Sequence, residues 1–170
     1  TRAIELDQSL TGAYVNRASA YFDFGHASHA GGAQPLAPPP DSAYYLPSEV
    51  RFQRALDDAS RALELDTNLP TAYFARGHSY ADTDRAEIAI PDYNRVLEHN
   101  PDIYLTVLTY IHRAQAYRYL GRLGESIEDL DRAISLEPAL AAALEKEPGL
   151  TTGMSLDGHM ATAFTNRGQA

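Results

Sequence analysis

PTAYFARGHSYADTDRAEIAIPDYNRVLEHNP, running from Pro70 to Pro101, is the stretch that decides the fold. It holds two segments with apolar and small residues at helical spacing, parted by the polar turn Asp82-Thr83-Asp84 and closed by proline at each end. Its opening pattern, aromatic-x-x-Arg-small, occurs four times. The copies are Tyr14-Val15-Asn16-Arg17-Ala18, Tyr73-Phe74-Ala75-Arg76-Gly77, Tyr110-Ile111-His112-Arg113-Ala114 and Phe164-Thr165-Asn166-Arg167-Gly168. The second half recurs as Ala59-Ser60-Arg61-Ala62-Leu63, Tyr93-Asn94-Arg95-Val96-Leu97 and Leu130-Asp131-Arg132-Ala133-Ile134, with an earlier copy in Thr1-Arg2-Ala3-Ile4-Glu5-Leu6. Repetition of a helical pair predicts stacked helices that share one continuous core.

Ala62 to Val96 measures the unit at 34 residues. The opening aromatics Tyr73 and Tyr110 are 37 apart, Tyr14 and Tyr73 are 59 apart, and Tyr110 and Phe164 are 54 apart, so the chain reads as one unit with insertions. Small Ala18, Gly77, Ala114 and Gly168 fall four residues after each opening aromatic, where helices approach closely, and Tyr21, Tyr80 and Tyr117 fall seven after it on the same face. Ala55, Ala89 and Ser126 supply a small residue early in each second helix, which Pro101 and Pro138 are expected to end.

These positions resemble the tetratricopeptide repeat, in the bacterial form rich in Y-x-N-R-G/A and D-x-x-R-A-I. The resemblance implies an all-α, right-handed superhelical solenoid of antiparallel helix pairs with two long loop insertions. The expected division is the end of a preceding repeat at 1–10, a repeat at 11–69 with an insertion at about 26–47, repeats at 70–103 and 107–140, an insertion at 141–160, and the start of a further repeat at 161–170. Gly31-Gly32, Pro38-Pro39-Pro40 and Pro148-Gly149 keep the insertions irregular, and Ala139–Lys146 reads as a short helix before the second. The opening aromatic is Tyr or Phe where the family often has tryptophan. Gly25 and Gly121 hold the turn-glycine place, and Asp84 replaces it in the middle repeat, where it would N-cap the second helix with Glu87 three residues on. Pro91 predicts that this helix is bent or starts late.

Arg17, Arg76, Arg113 and Arg167 share one repeat position, and Asp58, Asp92 and Asp129 share another on the second helix. In an antiparallel pair the two positions are neighbours, so the Arg row is read as architecture, two-point Arg–Asp pairing, rather than as an anion-binding ladder. The same acids precede Arg61, Arg95 and Arg132 by three residues, a second neighbour spacing.

The family resemblance implies a concave groove lined by first helices, with Val15, Ser19, Phe22, Asp23, Phe74, His78, Asp82, Ile111, Gln115, Arg118, Tyr119, Thr165 and Gln169 facing it. Asn16 and Asn166 hold a position where family members often bind a partner's main chain, although Ala75 and His112 interrupt that row. A lysine clamp for acidic C-termini is not expected, because Val15, Phe74 and Ile111 stand where it would need lysine. An extended or helical peptide with apolar anchors suits such a groove.

The 170 residues carry a net charge of −9, which disfavours a nucleic-acid backbone as partner. Mean hydropathy is −0.36 and no run approaches a membrane span, so a soluble bacterial protein of cytoplasm or periplasm is expected, with no direct membrane insertion. Cysteine is absent, excluding thiolate chemistry. The six histidines are scattered; His26-x-x-His29 has a ligand-like spacing but lacks convergent acids, so neither metal nor cofactor is expected. No nucleophile elbow or phosphate loop occurs, and the chain reads as non-enzymatic. With no initiator Met and a start inside a helical pattern, it reads as an excerpt of a longer protein. The function expected is a protein–protein interaction module binding a peptide or protein in the groove. The alternative is a structural subunit of a larger complex, docking through its insertions or array ends, and a third reading is a regulatory domain attached to a catalytic or secretion machine.

Overall fold

The computed structural model describes residues 7, 10–27, 46–146, 165, 167 and 168, with the side chains of 22–27 left aside. Seven helices occupy them: α1 (Thr11–Ala27), α2 (Ser48–Leu65), α3 (Pro70–Ala81), α4 (Ala86–Glu98), α5 (Ile103–Tyr119), α6 (Leu123–Ser135) and α7 (Glu137–Lys146). No strand occurs among the described residues. α1 pairs with α2, α3 with α4 and α5 with α6, while α2 packs on α3 and α4 on α5. The first helices α1, α3 and α5 also touch in succession. Each element thus contacts its neighbours along the chain, as in a solenoid.

The small residues allow this spacing. Ala18, Ala55, Ala59, Ala89 and Ser126 are buried, and Ser126 Oγ donates to the Ala114 carbonyl across the α5–α6 contact at 2.9 Å. Gly77 is the tightest case. A Cβ there would lie 3.1 Å from Tyr93 Cε1 and 3.3 Å from the Ala89 carbonyl oxygen, so α3 and α4 meet at this distance only because the methyl is missing.

Local sequence explains the helix ends. Pro70 begins α3, where its missing N–H costs no hydrogen bond. The Asp102 side chain caps α5 by accepting from the Leu105 N–H at 2.9 Å. α4 ends at Glu98, and Asn100 then turns left-handed at φ 46° before Pro101.

Several expectations are corrected. Asp84 is not the N-cap of α4; Arg85 holds that place without a side-chain cap bond. Asp84 instead adopts φ 57°, matching φ 71° at Gly121, and in both turns the next amide bonds back to a tyrosine carbonyl, Arg85 to Tyr80 and Arg122 to Tyr117, each at 2.9 Å. This is a Schellman-type closure whose pivot must be left-handed, a conformation Asp tolerates better than most residues. α4 does not start late: like α6 it begins two residues after the pivot, and it continues through Pro91 as one helix of 13 residues. Gly25 is not a turn, because α1 runs past it to Ala27. The short helix before the second insertion starts at Glu137, so Pro138 lies in its first turn rather than terminating α6, which ends at Ser135. Of the two expected insertions, about 26–47 and 141–160, residues 28–45 and 147–160 fall outside the described residues, while 26–27 belong to α1 and 141–146 to α7.

Candidate functional site

The charged rows lie on the helix-pair contacts. Arg17 donates to both carboxylate oxygens of Asp58, at 2.6 Å each, Arg76 to Asp92 at 2.8 and 2.7 Å, and Arg113 to Asp129 at 2.6 and 2.7 Å. Each guanidinium also lies 5.6–5.8 Å from the ring of its repeat's opening tyrosine, Tyr14, Tyr73 or Tyr110. Hydrogen bonding to the carboxylate raises the pKa of Arg17 and Arg76 further above its usual value. At Arg113 burial opposes the charge, and the Asp129 hydrogen bond and attraction outweigh it. The acids' second expected partners differ. Only Arg132 reaches back to its Asp, at 3.1 Å, whereas Arg61 and Arg95 pair forward with Glu64 and Glu98.

A residue that sequence reasoning missed is Asn94. Its Oδ1 accepts from Arg113 Nη1 at 2.5 Å, tying the second repeat to the third. Asp131 stands in the same place, two residues after the paired acid, and accepts from Arg167 Nε at 2.9 Å. The only signal in the sequence was that shared offset.

The expected groove residues divide by burial. Val15 packs with Tyr14, Leu63 and Ala72, and Ile111 with Val107, Leu130 and Leu140. At 8% and 1% exposed, neither offers free apolar surface to a partner. For Ile111 this was not legible from the repeat pattern, because its cover includes Leu140 of α7, which packs against α5 and α6. Asn16, Ser19, Asp82 and Thr165 are exposed, Gln115 and Arg118 half-buried, and Tyr119 is 74% exposed. The Phe22 and Asp23 side chains, Asn166 and Gln169 fall outside the described set.

Phe74 and His78 form the centre of a ring cluster between α3, α4 and α5. Phe74 stacks on His78 at 6.1 Å and contacts Tyr93 at 6.0 Å, while His112 meets Phe74 edge-on at 5.4 Å and His78 edge-on at 4.5 Å. His112, which broke the Asn row in the sequence, therefore joins α5 to α3. Tyr93 is fully buried, its hydroxyl has no hydrogen-bond partner, and burial pushes its pKa well above the ordinary value.

A separate cleft of about 330 Å³ between α1 and α2 is lined by Arg17, Tyr21, Arg54, Asp57 and Asp58, two of which are committed to the ion pair. Among the described residues no group of three or more His, Cys, Asp or Glu could hold a metal ion, and no helix is long and apolar enough to cross a membrane.

Residues 70–103 and 107–140 each match a family model for the tetratricopeptide repeat. These two segments are tetratricopeptide repeats. It is similar to Tetratricopeptide repeat protein 13 of Homo sapiens, 30% identical over 102 residues, which is 57% of this chain and 12% of that protein. It is also similar to UDP-N-acetylglucosamine--peptide N-acetylglucosaminyltransferase of Giardia intestinalis, 36% identical over 70 residues, 41% of this chain and 5% of that protein. The chain thus spans a small part of the curated relatives it matches. A tetratricopeptide array of this kind is a protein–protein interaction module.

Proposed function

We propose that this tetratricopeptide array is non-enzymatic and binds a peptide or protein segment along the face formed by α1, α3 and α5. Phe74 and Tyr119 are its apolar contacts, and Asn16, Ser19, Gln115 and Arg118 its polar ones. The observation that supports this best is the exposure of Tyr119, the highest of any large apolar side chain among the described residues, on the same row of first helices as half-buried Phe74. Aromatic anchors flanked by polar groups are a favourable arrangement for peptide recognition. Arg118 adds a guanidinium whose Nε is buried without a hydrogen-bond partner. The net charge of −9 favours a protein over a nucleic-acid partner.

The test uses peptides selected from a displayed random library against the whole chain. Phe74→Ser and Tyr119→Ser, each confirmed helical by circular dichroism, are expected to weaken the selected peptides at least about tenfold, equal to 1.4 kcal/mol. Unchanged affinity in both variants would remove the groove reading.

A further inference from the structure

We propose, on the peptide-binding reading of the face formed by α1, α3 and α5, that the bound segment carries a carboxylate side chain beside its apolar anchor and that Arg118 receives it. Segments lacking that acid still meet the aromatic contacts but bind less tightly.

Among the described side chains of the first helices, arginine occurs as Arg17, Arg76, Arg113 and Arg118. The first three are each held by an aspartate of the paired helix through two hydrogen bonds. Arg118 differs. Its guanidinium carbon lies 5.8 Å from the centre of the Tyr119 ring, and its Nε is buried without a hydrogen-bond partner, while the terminal nitrogens are not buried. A half-covered cation of this kind has given up part of its hydration without gaining an acid in return. A carboxylate meeting the two terminal nitrogens restores that loss, and the planar fork offers it two parallel hydrogen bonds.

The neighbouring Tyr119 sets where the acid must sit. Its ring is 74% exposed and is the natural seat for an apolar side chain of the partner. An extended segment advances about 3.4 Å per residue, so the 5.8 Å between ring and guanidinium places the acid about one or two residues from that anchor. Gln115, half-buried and three residues before Arg118, has the spacing of a neighbour on the helix surface and carries an amide donor. The net charge of −9 repels an acidic segment at a distance. The reward therefore comes only from the contact at Arg118, which selects one placed acid rather than an acidic tract. A lysine or arginine in the same place would set two cations against each other.

The probes are peptides selected from a displayed random library against the whole chain, each remade with every acidic residue in turn replaced by its amide. One such replacement, about one or two residues from an apolar side chain, is expected to weaken binding to the wild-type chain about fivefold, the scale of a partly exposed ion pair. The same replacement should leave binding to Arg118→Gln unchanged. If that variant does not fold, Arg118→Met keeps the aliphatic stem and serves with the same readout. Equal binding of acid and amide peptides to the wild-type chain, or an equal loss in wild type and variant, overturns the proposal. Phe74→Ser and Tyr119→Ser report separately on the face itself. Weakened binding in those variants without an acid effect keeps the peptide-binding face and removes the acid; a library that yields no binder removes both.

Discussion

Arg113 and Asp129 face each other across α5 and α6 in a two-point contact, Nε to Oδ2 at 2.6 Å and Nη2 to Oδ1 at 2.7 Å. The third guanidinium nitrogen reaches back to Asn94, so one side chain sets the register within a repeat and between repeats. Such a pair specifies geometry more than it adds stability, because two charges have been taken out of water to make it.

Breaking it from one side should nevertheless be severe. Asp129 is 1% exposed against 8% for Asp58 and Asp92, so Arg113→Ala strips the most deeply buried carboxylate of its two-point partner and leaves it only the half-exposed Arg132 at 3.1 Å. A loss of about 3–5 kcal/mol is expected, with smaller losses for Arg17→Ala and Arg76→Ala. Arg113→Lys should not restore stability, since an ammonium cannot make the forked contact. Urea unfolding of the four variants checks the order; a stable Arg113→Ala that lost partner binding would assign the row to recognition instead.

The two left-handed pivots should respond oppositely to alanine and glycine. Gly121→Ala places a Cβ at φ 71° and is expected to lose about 1 kcal/mol, whereas Asp84→Gly at φ 57° should gain about 0.5–1 kcal/mol. Melting curves decide it. A destabilised Asp84→Gly would mean that the carboxylate contributes more than the backbone strain.

Gly77 sets helix propensity against packing. Alanine would favour the helix by about 1 kcal/mol, yet its methyl would press on Tyr93 and on the Ala89 and Asp92 positions at 3.1–3.3 Å. Overpacking of this kind costs about 1–3 kcal/mol, so Gly77→Ala should be destabilising overall. Gly12→Ala is the control, with nothing within 4 Å of the added methyl, and should be neutral or mildly stabilising. Equal melting temperatures for the two variants would contradict the close approach of α3 and α4.

Removing the Tyr93 hydroxyl should help. Tyr93→Phe deletes a buried polar atom with no partner and is expected to gain about 1 kcal/mol at neutral pH. The raised folded-state pKa fixes the sign at alkaline pH. The tyrosine's share of stability is complete below its unfolded value near about 10 and is lost as pH rises beyond it, because the unfolded chain ionises first. Urea midpoints at neutral and alkaline pH should therefore fall less steeply in the variant.

The sequence by itself determined the helix pairing, the small residues at the close contacts and the Arg–Asp partners, because each follows from the spacing of residue types within a repeating unit. Arg17 with Asp58, Arg76 with Asp92 and Arg113 with Asp129 were legible for that reason. Only the tertiary structure decided what lies between units. Asn94 bridges two repeats, His112 packs on His78, and Leu140 helps to cover Ile111, so the apolar part of the candidate face narrows to Phe74 and Tyr119. Backbone conformation belonged to the same class: Asp84 had the composition of a helix cap, and its left-handed φ made it the turn pivot instead. A repeat pattern records which residues share a helix face. Which of those faces the rest of the chain covers depends on distances that only the folded array establishes.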